Sequence, residues 1–124
     1  MIVKIVGVGT LGCNIIRNLP GGDTGEARLI AIDTDQCWLE FFKASYHIQL
    51  GKSVTKGLGT GGDINLGRHA AMGSTEDIKH AVRDTDILFI VAGMGGGTGS
   101  GAAPLVAEIS KKSGTYTVAV VTLP

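Results

Sequence analysis

Several residue types are scarce in this 124-residue chain, and each scarcity excludes something. Cysteine is limited to Cys13 and Cys37, too few for a disulfide framework and suited to a reducing cytosol. Charge balances at 11 basic against 11 acidic residues, which argues against the basic footprint of a nucleic-acid binder. No apolar run reaches the length of a membrane span. Met1 leads straight into Ile2-Val3-Lys4-Ile5-Val6, without the basic region and cleavage site of a leader. The three histidines, His47, His69 and His80, are scattered and lack the spacing of a ligand set, so no protein-held metal centre is expected. Aromatics make up 5% of the chain. Trp38, Phe41 and Phe42 read as core or lobe-interface residues rather than a base-stacking platform. Internal repeats and low-complexity tracts are absent. The length fits one domain, or one lobe of a larger protein.

Glycine is the exception. It contributes 20 of the 124 residues, about twice the usual share of ~7%. The excess is clustered, which suggests ligand loops rather than disorder. The densest cluster is Gly93-Met94-Gly95-Gly96-Gly97-Thr98-Gly99-Ser100-Gly101, six glycines in nine residues. It follows the strand-like Asp86-Ile87-Leu88-Phe89-Ile90-Val91-Ala92 and precedes a helical pattern with Pro104 near its expected first turn. Glycines at a helix N-terminus let backbone N–H groups approach an anion, and the helix dipole favours negative charge. Thr98 and Ser100 would add hydroxyl donors. This stretch reads as a phosphate cradle. A side chain at Gly97 or Gly99 is expected to block the ligand and leave the fold largely intact.

Taken in order, residues 2–6 read as a strand, and residues 14–19 as a helix ended by Pro20-Gly21-Gly22. Residues 28–32 form a second strand closed by Asp33-Thr34-Asp35. A short helix is expected over 36–44, a third strand over 46–50 and a glycine-punctuated loop over 51–62. A helical pattern covers 65–72. Ser74-Thr75-Glu76-Asp77 resembles a capping box restarting a helix through Val82. Strands at 86–92 and 116–122 flank a helix that ends near Lys111-Lys112-Ser113-Gly114. Strands one, four and five are apolar on both faces. The expected fold is therefore α/β: a doubly wound, Rossmann-like parallel sheet with helices on both faces. Its glycine loops would gather at the carboxyl edge of the sheet.

Gly7, Gly9 and Gly12 match the G-x-G-x-x-G dinucleotide fingerprint, with Asp33 21 residues after Gly12, where a ribose hydroxyl is met in NAD-binding folds. On that evidence an NAD-binding domain of an oxidoreductase or redox sensor stands as one reading. A second and richer glycine loop on the same edge points instead to a nucleotide polyphosphate gripped from two sides. The P-loop pattern is excluded, since no lysine follows the glycines as that motif requires.

Gly95-Gly96-Gly97-Thr98-Gly99-Ser100-Gly101 resembles the signature loop of the tubulin and FtsZ family, the latter being prokaryotic cell-division GTPases. Gly7-Val8-Gly9 with Gly12 and Asn14 resembles the first phosphate loop of FtsZ, and Asp33-Thr34-Asp35 its Asn-Thr-Asp loop. Thr55-Lys56-Gly57-Leu58-Gly59-Thr60-Gly61-Gly62 resembles the loop near the γ-phosphate, and residues 118–124 the strand leading to the ribose loop. The resemblance spans the whole chain. It implies GTP or GDP as ligand, with Mg²⁺ bound through the phosphates. The implied contacts are Gly9, Thr10, Leu11, Gly12, Cys13 and Asn14, then Asp33 and Thr34, then Gly59, Thr60, Gly61 and Gly62. Gly95, Gly96, Gly97, Thr98, Gly99 and Ser100 complete the set. It also implies a cytoplasmic cytoskeletal protein that self-associates into filaments, works with other cell-division proteins and does not insert directly into membrane.

The chain departs from the family pattern at identifiable places. Thr10 and Leu11 stand where FtsZ usually has glycine and a small residue, and their side chains would crowd the diphosphate. Asp33 replaces the usual Asn. Asp63-Ile64 replaces Asn-Pro and adds a negative charge beside the γ-phosphate. Residues 1–124 would be the N-terminal nucleotide-binding domain, without the family's central helix and C-terminal domain. The carboxylates that activate water are supplied from that second domain across a subunit contact, so no catalytic residue is assigned within the chain.

Overall fold

A computed structural model describes residues 1–19, 27–33, 46–50 and 63–123. The helix expected over 36–44 and the loop over 51–62 lie outside the described residues. Nine elements are described: β1 (Val3–Val8), α1 (Gly9–Arg17), β2 (Arg28–Asp33), β3 (Tyr46–Gln49), α2 (Ile64–Gly73), α3 (Thr75–Val82), β4 (Ile87–Gly93), α4 (Gly97–Lys112) and β5 (Tyr116–Thr122). The five strands form one sheet in the order β3-β2-β1-β4-β5, and every pairing is parallel.

Alternation along the strands sorts the helices. Val6, Val8, Ile30, Ile32, Leu88 and Ile90 face one side and meet Ala70, Ile78, Val82, Val106 and Ile109 of α2, α3 and α4. Ile5, Leu29, Ala31 and Val91 face the other and meet Cys13 and Ile16 of α1. With α1 connecting leftward from β1 and α4 rightward from β4, the winding reverses between those two neighbouring strands. Such a switch point opens a crevice at the carboxyl ends of the strands.

The opposite edge is tied by polar contacts. The Ile2 N–H donates to Asp86 Oδ2 at 2.6 Å. Lys4 Nζ donates to the Ala81 and Arg83 carbonyls, each at 3.0 Å, so a β1 side chain holds the C-terminal carbonyls of α3. Burial pushes the Lys4 ammonium below the usual lysine range.

Three expectations are corrected. The two glycine stretches, expected as loops, instead open helices: α1 begins at Gly9 and α4 at Gly97. Only Met94–Gly96 separate β4 from α4, and Pro104 therefore sits inside α4 rather than near its first turn. The helix does restart after Ser74, but the Ser74 side chain does not cap it. With φ −112° and ψ 20°, Ser74 lacks the extended backbone that a capping serine needs. Its carbonyl instead accepts the Ile78 N–H at 3.0 Å. Finally, among the described residues β5 is not covered on both faces. It is the edge strand, with Val120 52% and Val121 45% exposed.

Close approach of α1 to the sheet depends on Gly12, since a Cβ there would land on the Val91 carbonyl oxygen. Gly73, by contrast, has nothing among the described residues within 4 Å of that position. Gly12→Ala should therefore cost about 1–3 kcal/mol through overpacking. Gly73→Ala should be neutral or stabilise by up to ~1 kcal/mol. Urea unfolding of the two variants checks the contrast.

Candidate functional site

The site is built from helix N-termini. Neither α1 nor α4 has a side-chain cap: their N-cap residues are Val8 and Gly96, and neither first turn holds an acidic residue. The first-turn N–H groups of both helices are therefore donors without a capping side chain. The two ends lie side by side. A Cβ placed on Gly9 would be 3.1 Å from the Gly99 backbone nitrogen and 3.6 Å from Thr98 Cβ. Gly9 also has φ +79° and Gly95 φ +108°, a region where a side chain would be strained.

A third helix N-terminus joins them. A Cβ on Gly67 of α2 would meet the Gly97 carbonyl, and one on Gly101 would lie 2.5 Å from both Arg68 N and Ile64 O. The first turns of α2 and α4 thus pack backbone to backbone. Here the cap is present, since Asp63 Oδ1 accepts the Leu66 N–H at 3.2 Å. The charge expected to stand beside a γ-phosphate is engaged with the dipole of its own helix.

The other predicted site residues fall as follows. Thr10, expected to crowd a diphosphate, donates its Oγ1 hydrogen to Asp33 Oδ2 at 2.9 Å. This bond joins the first turn of α1 to the end of β2. Asp33 is only 2% exposed, and its carbonyl accepts the Leu50 N–H at 2.8 Å. Leu11 is 49% exposed and leans on Gly93 at the end of β4. Cys13 is fully buried, its thiol directed at the Gly7 carbonyl at 3.3 Å and the Ile32 carbonyl at 3.7 Å. Its backbone packs on the sheet as well, since a Cβ on Gly7 would lie 2.9 Å from the Cys13 nitrogen and Cα. The Asn14 side chain accepts from Arg17 Nη2 at 2.8 Å, one turn further along α1.

On the second stretch, Ser100 Oγ accepts the Gly95 N–H at 2.8 Å. That contact uses a lone pair and leaves the hydroxyl hydrogen able to donate. Thr98 is buried and Gly96 is exposed, with nothing among the described residues within 4 Å of a Cβ there. A Cβ on Gly99 would lie 2.5 Å from the Gly93 carbonyl. The expectation that Gly99 tolerates a side chain without harm to the fold is therefore wrong; Gly96 is the open position. Thr34, Gly59, Thr60, Gly61 and Gly62 lie outside the described residues.

Sequence reasoning missed the packing roles of Gly67 and Gly101. The signal was present in Gly97 and Gly101, four residues apart on one helix face. Among the described residues, no group of three His, Cys, Asp or Glu could hold a metal ion, and no helix is long and apolar enough to cross a membrane.

Two uncapped helix N-termini meeting at the switch point of a parallel sheet define a doubly wound α/β domain whose crevice has the form that suits an anion. Residues 2–124 match the tubulin/FtsZ family, GTPase domain, and the chain belongs to that family. It is 50% identical over 122 residues to cell division protein FtsZ 1 of Methanocaldococcus jannaschii, covering 98% of this chain and 34% of that protein. Among solved structures, an empty FtsZ dimer from M. jannaschii superposes with a TM-score of 0.94 at 50% identity, covering 99% of this chain and 36% of that one. A GTPγS-bound protofilament of CetZ2 from Haloferax volcanii matches with a TM-score of 0.81 at 28% identity, over 99% of this chain and 39% of that one. The chain thus spans about a third of the length of the relatives it matches. Nothing in these similarities supports the dinucleotide-dependent oxidoreductase alternative.

The Thr10–Asp33 bond gives a direct test of the site's framework. Thr10→Val keeps the shape but withdraws a donor from a buried carboxylate, at an expected cost of about 1–3 kcal/mol. Thr10→Ser should recover most of it. Thermal or urea unfolding of both variants measures the difference.

Proposed function

We propose that the crevice between the first turns of α1 and α4 binds the phosphates of GTP or GDP. The observation that carries this is the meeting of two uncapped helix N-termini, with Gly9 against the Gly99 backbone. Backbone N–H groups of residues 9–12 and 97–99 would hold phosphate oxygens, with the Ser100 hydroxyl as a further donor. Asp33, fixed by Thr10, would stand at the ribose side. Mg²⁺ would be carried on the phosphates, where it offsets their charge. The guanine and hydrolysis assignments rest on kinship with proteins named as FtsZ and as a GTPγS-bound protofilament.

We read the whole protein as a cytoplasmic, self-assembling cell-division GTPase, in keeping with the dimer and protofilament described for its relatives. Hydrolysis of GTP needs a positioned water and stabilisation of transition-state charge. The chain offers phosphate donors on one side of the ligand. In the family the carboxylates come from the second domain of a neighbouring subunit. The isolated chain should therefore bind nucleotide, turn over GTP negligibly and form no filaments. Added to a full-length relative, it should slow assembly by occupying growing ends.

Two measurements test this reading. Calorimetry with GDP, GTP, ADP and NADH should show binding of the guanine nucleotides alone. Gly96→Val, at the open position, should lower GDP affinity by about tenfold or more, equivalent to about 1.4 kcal/mol, with unchanged stability. Tight NADH binding, or unchanged GDP affinity in the folded variant, would overturn the cradle. GTP turnover that rises with the chain's own concentration would show a complete catalytic set within these residues.

A further inference from the structure

One buried polar group at the carboxyl edge of the sheet lacks a partner. Gln49 ends β3, and its Nε2 is buried with no hydrogen-bond partner among the described residues. A buried donor without an acceptor has lost its water and gained nothing in exchange, so such groups are few in folded proteins. The fold gives this side chain no other face to occupy. Ile48 and Leu50, on either side of it, are buried in the core shared with α2, α3 and α4. Alternation therefore turns Gln49 to the face that carries α1. The Leu50 N–H, bonded to the Asp33 carbonyl at 2.8 Å, holds this register. A slip of one residue would bring Gln49 into the apolar core.

Its neighbours belong to the candidate crevice. Gln49 pairs in register with Asp33 on β2. Leu29 and Ala31 of β2 face α1, so Asp33, two residues on, shares that face with Gln49. Thr10, in the first turn of α1, donates to Asp33. Thr10, Asp33 and Gln49 thus form a polar row that leads outward along the carboxyl edge from the first turn of α1. With β2 between β3 and β1, Gln49 stands about 10 Å from the end of β1 at ordinary strand spacing. A nucleoside diphosphate with its phosphates on α1 spans that distance. Gln49 as a residue is only partly buried. Turning its carboxamide to the open side breaks no bond of Nε2, about a terminal torsion that is broad for glutamine.

We propose that Gln49 is a ligand-binding residue of this site, and that its carboxamide donates to an oxygen of the bound nucleotide. The empty fold carries the unmet donor, and the ligand supplies its acceptor. Two oxygens of a nucleotide offer this chemistry, a ribose hydroxyl and the terminal phosphate. A hydroxyl both accepts and donates, so one such group would serve Gln49 and Asp33 together. The inference rests on the nucleotide reading and adds to it a residue on a third strand, outside every glycine stretch.

Gln49→Leu and Gln49→Met keep the bulk of the side chain and remove the donor. In the unliganded 124-residue chain, both should unfold at the parent Tm or up to about 5 °C above it, since each removes an unmet donor. Calorimetry should show GDP affinity lowered about tenfold in both. That combination, weaker binding without loss of stability, is one that a packing role does not produce. If the acceptor is a hydroxyl, the loss disappears with the 2′-deoxy or the 3′-deoxy analogue of GDP, whichever lacks it. If the acceptor is the terminal phosphate, the loss persists with both analogues and is larger for GTP than for GDP. Either pattern supports the proposal. Inorganic pyrophosphate reports on the phosphate cradle alone. Should the parent chain bind pyrophosphate and GDP while both variants bind GDP as tightly as the parent, Gln49 is no ligand residue and the nucleotide reading stands. A lowered Tm with unchanged GDP and GTP affinity would likewise overturn the proposal, by assigning Gln49 to the fold. A parent chain that binds neither pyrophosphate nor GDP would overturn both readings.

Discussion

Backbone meeting backbone without intervening side chains is the constraint on which this structure depends. Gly12 sets α1 against the Val91 carbonyl, Gly99 sets α4 against the Gly93 carbonyl, and Gly67 and Gly101 set α2 against α4. Each contact leaves no room for a Cβ. Together they bring three helix N-termini to one edge of the sheet. The same glycines that make the edge permissive for an anion are therefore those that assemble it. A substitution there changes packing before it changes chemistry, except at Gly96, which faces open space.

Among the described residues, the donors at this edge include main-chain N–H groups of the first turns of α1 and α4. Helix N-termini of this kind favour an anion whatever the net charge of the chain, which is formally zero here. The carboxylates nearby are engaged: Asp63 caps α2, and Asp33 accepts from Thr10. Each is held by a neutral donor, which fixes the orientation of the carboxylate and leaves its negative charge in place. The departures from the family pattern at positions 10, 33 and 63 read together as one rearrangement of hydrogen bonds, in which Thr10 and Asp33 are complementary.

The order of strands and helices was legible in the sequence because its strands are β-branched, apolar and bounded by glycine or aspartate. The candidate crevice was legible for a related reason: glycine runs followed apolar strands. The helical state of residues 9–12 and 97–101 was not. Glycine is a poor helix former, and only the sheet edge pressed against these turns overrides that preference. Ser74 shows the converse failure. Its sequence context matches a capping box, but the close junction of α2 and α3 leaves no extended residue to carry one. The exposure of β5 was also illegible, since a strand apolar on both faces reads as buried whether or not its cover is at hand.

That exposed strand is coupled to the crevice. The Met94 N–H, at the first residue after β4, donates to the Thr122 carbonyl at 2.9 Å. The connection of only three residues that positions α4 is thus hydrogen-bonded to the far end of β5. Gly95, next along, is held in turn by Ser100 of the helix. Whatever packs on Val120 and Val121 presses on a strand whose last bonds fix this connection. An edge strand alone is free to fray, and fraying here would loosen the start of α4. The Met94–Thr122 bond thus links β5 to the start of α4 through main-chain groups already in place. In this arrangement the backbone donors of the candidate crevice are set by local glycine contacts and tied to the sheet edge by the Met94–Thr122 bond.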